Sequence, residues 1–323
     1  MKIQTAVVGS YPKPIRLAKT QSKFLNKKID EKKYQETLYN FTKIFLNKMK
    51  NFNIDYVTSG LLRFDDIVDI TFSYLEGAEK FELVRFFDNN FYYRKPLIKN
   101  KLKKKNTIYL EDLKMAKKIL GEIEYKAKLK AVILGPLTYY RLSDDSYYND
   151  EIELIMDYSK ETNSVIKDTE GIVDAVEIHE PSISEKGLPK KIIERLPEIY
   201  DELLKGVNLE KHLITYFKIN NVKIFNIVNK TNIDIIGFDA IENKKKLGMI
   251  YKYLKEKNLY LGVIDSRNTK LDKATFIKNV IETASKYGIK RMIIGNSSLL
   301  DFIPEVVVER KLKILSKVVK TFE

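Results

Sequence analysis

The 323-residue chain has no cysteine, no tryptophan and only two histidines, His179 and His212. Without cysteine there is no disulfide, no thiolate nucleophile and no zinc site built on sulfur. A histidine-based metal site would need both rings plus carboxylates. No apolar run approaches the roughly 18 residues that a membrane span requires. The opening stretch MKIQTAVVGSYP carries too short an apolar run for a secretory signal. These absences predict a soluble, cytoplasmic protein.

Positive charge is plentiful. Lysine and arginine number 58 against 44 acidic residues, a net charge of +14. Lysines cluster at Lys99, Lys101, Lys103, Lys104 and Lys105, and again at Lys244, Lys245 and Lys246. Such runs are usually solvated faces, with a polyanionic ligand or nucleic acid as the functional alternatives. No recognised RNA- or DNA-binding motif occurs, and rings and lysines are not interleaved as stacking platforms require. The pattern therefore argues against nucleic acid. Abundant Lys, Glu, Ile and Tyr without Cys fits a thermophile.

A hydrophobic content of 44% supports a sizeable core. Eight apolar, β-branched runs read as strands: Ile3–Val8, Tyr56–Thr58, Ala131–Leu134, Ala175–Ile178, Leu213–Phe217, Ile233–Phe238, Leu259–Ile264 and Arg291–Ile294. Helical patterns lie between them. From Glu31 to Met49, apolar residues recur three or four apart at Tyr34, Leu38, Phe41, Phe45 and Met49. Similar patterns cover Leu113–Ile123, Ile152–Lys167, Leu188–Leu204, Lys244–Glu256, Lys273–Tyr287 and Pro304–Val319. Apolar strands alternating with helices predict an α/β fold, a single (β/α)8 TIM-type barrel. No Pro/Gly/Ser-rich linker divides the chain, so one domain over 1–323 is expected. An irregular insertion is expected at 73–106, between the second and third strands. It holds RFFDNNFYYRKP, where Phe86, Phe87, Phe91, Tyr92 and Tyr93 surround Asp88-Asn89-Asn90. Rings of this size either pack over the barrel or brace a segment that presents its cations.

The strand ends are polar, and barrels build their sites at the C-terminal ends of strands. In order they carry Ser10, Ser59-Gly60, GPLT from Gly135, His179-Glu180-Pro181, Thr215-Tyr216, Asp239, Asp265-Ser266-Arg267-Asn268 and Asn296-Ser297-Ser298. Arg267 and Asp239, at successive strand ends, are expected to form a structural ion pair. His179 reads as a hydrogen-bonded strand-end residue. His212 reads as a surface residue beside Lys211.

The segments GPLT, IHEPS, HLITYF, LGVIDSRN and NSSLLDFIP, in that order, resemble the cobalamin-independent methionine synthase family. That family joins two related barrels. The C-terminal barrel holds zinc and moves a methyl group from methyltetrahydrofolate polyglutamate to homocysteine; the N-terminal barrel has lost the metal. RFFDNNFYY, IDSRNTK and NSSLLDFIP side with the N-terminal barrel. VVGSYPKP instead resembles the first strand of the catalytic barrel or of single-barrel archaeal relatives. Leu61 follows Gly60 where the catalytic barrel has a glutamate, and TYFKIN lacks its His-x-Cys zinc pair. The glutamate ligand after the sixth strand falls at Asp239, leaving at most one candidate zinc ligand.

The resemblance implies a stand-alone N-terminal-type barrel of a split enzyme. It would bind no cofactor itself and would assist a separate zinc-bearing barrel. Its partner molecule would be methyltetrahydrofolate polyglutamate or an archaeal pterin analogue. Carried over by position, Arg16, Lys19 and Arg85 would contact the glutamate tail, with the first two on one helix face. Ser10, His179, Glu180, Asp239, Asp265, Arg267, Asn268 and Ser297 would line the barrel mouth. The alternatives are an autonomous methyltransferase with a non-cysteine metal site, or a nucleic-acid binder using its basic surface.

Overall fold

The structure is a computed structural model that describes residues 2–105 and 108–322. Strands run β1 (Lys2–Ala6), β2 (Tyr56–Val57), β3 (Leu75–Arg85), β4 (Tyr92–Lys104), β5 (Lys128–Leu134), β6 (Asp144–Asp145), β7 (Ala175–His179), β8 (Glu210–Ile214), β9 (Ile235–Asp239), β10 (Asn258–Ile264) and β11 (Arg291–Asn296). Eight of them close into a parallel barrel in the order β1-β11-β10-β9-β8-β7-β5-β2. Ile3 pairs with Met292 where the barrel shuts. The expected TIM-type barrel is therefore the observed fold. Its strands are buried because helices such as Glu31–Asn51, Glu151–Asp168 and Glu305–Val319 cover them from outside.

The insertion sits where expected, but it is regular rather than irregular. Strands β3 and β4 form a long antiparallel hairpin, and β6 adds alongside β4. On β4, Tyr93, Ile98 and Leu102 are buried while Arg94, Lys99, Lys101 and Lys103 face solvent. The lysine cluster is thus the wet face of a strand. Register shifts between Glu76 and Ala78 and between Lys80 and Leu83 break the alternation that would have revealed it. Residue 106, the end of the expected insertion, lies outside the described residues.

The hairpin tip folds back over the C-terminal end of the barrel. Phe86 is fully buried and meets Phe302 at 6.2 Å, and Phe91 meets Phe302 at 5.1 Å. Phe87 reaches across to Phe217 at 5.5 Å. The ring-rich segment is therefore a lid over the mouth.

The barrel interior carries two polar tiers. In the lower one, Tyr56, Glu210, His212 and Arg291 bond to one another: Nε2 of His212 lies 2.8 Å from Glu210, and Arg291 donates to the same carboxylate at 2.8 Å. His212 is thus buried, not on the surface as expected, because β8 begins at Glu210 and places the ring inside. Burial lowers the pKa of its ring.

In the upper tier Lys130 and Glu177 are fully buried and bonded to each other. Lys130 also donates to the Val7 carbonyl at 2.8 Å. Removing one partner of a buried pair costs about 3–5 kcal/mol, because the other charge is stranded. Lys130→Met should lose stability in that range by urea unfolding. The double variant Lys130→Met/Glu177→Gln should regain a clear part of the loss.

Candidate functional site

The mouth is built from strand ends. His179 closes β7 and its side chain points to the same side as that of Glu177 two residues earlier. Its Nε2 lies 2.6 Å from a Glu177 carboxylate oxygen that also accepts the Gly9 N–H at 2.7 Å. Burial alone would raise the Glu177 carboxyl, but Lys130 and His179 beside it bring it down to about 2.

Glu180 is consumed by structure. It accepts from the backbone N–H of Thr138 at 2.6 Å, from the Thr138 hydroxyl at 2.5 Å, from Leu137 N–H at 3.3 Å and from Tyr200 at 3.2 Å. A Cβ on Gly135 would sit 2.3 Å from this carboxylate, so glycine is required there. GPLT and HEP are therefore two halves of one lock. Burial still pushes the Glu180 carboxyl up to about 7.

Asp239 accepts the N–H groups of Ile241 at 2.8 Å and Glu242 at 2.9 Å. The expected ion pair with Arg267 does not form, because Asp239 turns into its own loop. Arg267 instead lies 3.4 Å from Glu242 and over the Phe217 ring at 4.9 Å. Asp265 accepts from the Arg267 backbone at 2.9 Å and from Asn268, a self-contained turn. The Ser297 hydroxyl accepts the Ser266 N–H at 3.3 Å. Ser10 is buried beside Asp301, whose carboxyl burial pushes up to about 6.

The proposed tail contacts are less gathered. Arg16 and Lys19 are exposed on the helix Ile15–Leu25. Arg85 donates to the Asn89 carbonyl at 2.7 Å and to Asn90 at 2.9 Å. Among the described residues no hydrogen bond or ion pair joins Arg16 or Lys19 to Arg85. Arg85 and Arg267 do line one cleft of about 350 Å³ at the lid, with Asp88, Asn89, Asn90, Phe91 and Phe302. A second cavity, about 400 Å³, shares Asp88, Asn89 and Arg267 with it and has Phe87, Tyr216, Phe217 and Ser184 in its lining.

The sequence reading missed Lys130, Glu177 and Asp301, and gave Tyr216 and Ser182 no role. A signal existed: Glu177-Ile178-His179 and Glu210-Lys211-His212 share the i, i+2 spacing that puts both side chains on one face of a strand.

Zinc does not fit this donor set. His179 is tied to Glu177, Glu180 to the Thr138 loop and Asp239 to its own turn. No three such side chains among the described residues converge as ligands must.

A sequence profile described as "Cobalamin-independent synthase, N-terminal domain" matches residues 75–288. The chain belongs to the cobalamin-independent methionine synthase family, a family of methionine biosynthesis. It is 27% identical over 288 residues to the methionine synthase of Saccharolobus solfataricus, covering 88% of this chain and 84% of that one. With the methionine synthase of Sulfolobus acidocaldarius it shares 25% identity, covering 96% and 89%. Its fold matches a B12-independent methionine synthase from Shewanella sp. W3-18-1, solved with selenomethionine, at a TM-score of 0.84 and 18% identity, covering 100% and 99%.

Burial pushes the Asp239 carboxyl up from 3.8 to about 8. A carboxyl raised in the folded state stabilises fully below its unfolded pKa, and that stability is lost as pH rises through the folded value. Asp239→Asn keeps the acceptor oxygen and removes this loss. The variant should therefore gain on wild type between about pH 4 and pH 8, by roughly 2–4 kcal/mol at the alkaline end. Urea unfolding across that range checks the trend; a pH-independent difference would contradict it.

Proposed function

We propose that this chain serves methionine formation as an accessory barrel of N-terminal type. It binds the γ-linked glutamate tail of a methyl-pterin donor and assists a separate zinc-bearing barrel that methylates homocysteine. The observation that carries this reading is the rim cleft. Two guanidinium groups, Arg85 and Arg267, face one space of about 350 Å³ with the amides Asn89 and Asn90 around it. Guanidinium forks match carboxylates in geometry and charge. Arg16 and Lys19 extend positive charge along an exposed helix, where a longer tail would reach them. The donor is methyltetrahydrofolate polyglutamate or an archaeal pterin analogue. The basic surface, with a net charge of +14, concentrates such polyanions by long-range attraction. Ser10, His179, Glu180, Asp239, Asp265, Asn268 and Ser297 frame the mouth beneath the lid.

The zinc partner would dock at the C-terminal face of the strands and the hairpin tip. A stable contact there would bury roughly 1,200–2,000 Å². No helix among the described residues is long and apolar enough to cross a membrane, and a cytoplasmic setting is proposed. A second reading, an autonomous methyltransferase, is favoured by the coverage of 84% and 89% of relatives that bear the name methionine synthase on chains of similar length.

A charge-assisted hydrogen bond is worth about 1.5–3 kcal/mol when well formed. Arg85→Ala should therefore weaken the pentaglutamate donor about tenfold, with little change for the monoglutamate and a smaller loss in high salt. Equal losses for both forms would contradict tail binding. The purified chain should form no methionine alone and should do so, or stimulate it, when mixed with the zinc barrel. Turnover by this chain alone would favour the second reading.

A further inference from the structure

The hairpin has an anchored stem and a loosely held tip. On the stem, the Tyr93 hydroxyl donates to the Leu142 carbonyl at 2.9 Å, and Leu97 and Ile98 pair with β6. The Leu102 N–H donates to Tyr148 at 2.8 Å and the Lys104 N–H to Glu161 at 2.8 Å. The tip is bonded mainly to itself. Phe86 N–H meets the Phe91 carbonyl at 2.8 Å, Asn89 donates to the Phe86 carbonyl at 3.2 Å, and Arg85 holds the Asn89 carbonyl. Among the described residues, one hydrogen bond joins the segment 86–91 to the barrel. Arg267 donates to the Asp88 carbonyl at 3.5 Å, the outer limit of such a bond. Otherwise the tip rests on ring contacts with Phe302 and Phe217.

Arg267 stands on a braced loop. Lys311, fully buried, donates to Asp272 at 3.1 Å; Asp272 accepts the Asp265 N–H at 2.9 Å, and Asp265 accepts the Arg267 N–H at 2.9 Å. Arg85 travels with the lid, whereas Arg267 is fixed to the barrel. Both line the rim cleft. Each has only a loose acidic companion: Asp88 lies 3.7 Å from Arg85 and is 97% exposed, and Glu242 lies 3.4 Å from Arg267 and is 41% exposed. Exposed ion pairs of this kind hold weakly, and a bidentate ligand carboxylate displaces them.

We propose that a polycarboxylate in the rim cleft clamps the lid shut by bridging Arg85 on the tip to Arg267 on the barrel. The bridge places negative charge on a seam whose two sides both present guanidinium groups. It adds charge-assisted bonds where the unliganded seam has one long hydrogen bond. By linkage, a ligand that holds the tip closed is itself released more slowly by the closed tip. The cavity of about 400 Å³ shares Asp88, Asn89 and Arg267 with the cleft, so the clamp also restricts entry there. This device rests on the tail-binding reading above and adds how the tail is retained.

The probe is γ-linked penta-L-glutamate without a pterin, with sodium chloride at the same ionic strength as control. Calorimetry reads binding. Backbone hydrogen exchange, followed by mass spectrometry on the tip (85–91) and the stem (97–104), reads the lid. At saturation the tip should exchange about tenfold more slowly, with the stem unchanged and no effect of chloride. Arg267→Gln should still bind the peptide through Arg85, more weakly, but its tip should gain no protection at saturation. Binding without slower exchange of the wild-type tip would overturn the clamp and leave tail binding standing. Equal protection in Arg267→Gln, or equal slowing by chloride, would overturn the bridge in the same way. Absence of saturable binding would overturn both the clamp and the tail reading.

Discussion

One carboxylate holds the upper barrel together. Glu177 on β7 bonds Lys130 on β5, His179 on its own strand and the Gly9 N–H just beyond β1. Three segments that are far apart in sequence thus meet at one ionised group. A buried ion pair contributes little net stability against an apolar replacement, but breaking one half is costly. Its value here is specificity: it sets the height and rotation of the side chains at the mouth. Lys130 cannot leave without stranding Glu177, and Glu177 cannot leave without freeing His179.

That constraint separates two kinds of polar residue at the strand ends. Glu180, Asp239 and Ser297 are spent on the chain itself, holding the loops that follow β5, β9 and β10 in place. Arg85 and Arg267 point into the rim cleft, and Tyr216 points into the cavity beside it. The lid divides these two spaces. Phe87 and Phe217, which meet in the lining of the second space, both hold positive φ, at 50° and 67°. Non-glycine residues occupy that region at a cost, and such strain is stored where a site needs a fixed shape.

The barrel and most of its helices were legible because period and strand order are local or nearly local signals. Eight apolar runs alternating with helical patterns admit few other folds. The hairpin was not legible: its bulges disrupt the period of two, and its lysines look like a solvated loop. Ser10, His179 and Glu180 sit at expected strand ends that turn chemistry marks plainly. Lys130 was hidden because it ends the lysine-rich stretch Lys126-Ala127-Lys128-Leu129-Lys130, just before the expected strand at Ala131, where a lysine looks like a solvated strand edge. His212 was misplaced because the strand was started at Leu213, three residues late. The failed Asp239–Arg267 pair shows a different limit. Adjacent strand ends bring residues near one another, but the direction of a short side chain depends on the loop that follows it.

The central claim is that the polar side chains at this barrel's mouth, led by the buried Lys130–Glu177–His179 network, are tied to the chain itself and do not converge as metal ligands among the described residues. Zinc titration of the purified chain, followed by calorimetry and metal analysis after dialysis, tests it most directly. The account predicts no saturable zinc and no change in unfolding midpoint with added zinc. One tightly held zinc per chain, lost in both the His179→Gln and the Asp239→Asn variants, would contradict it.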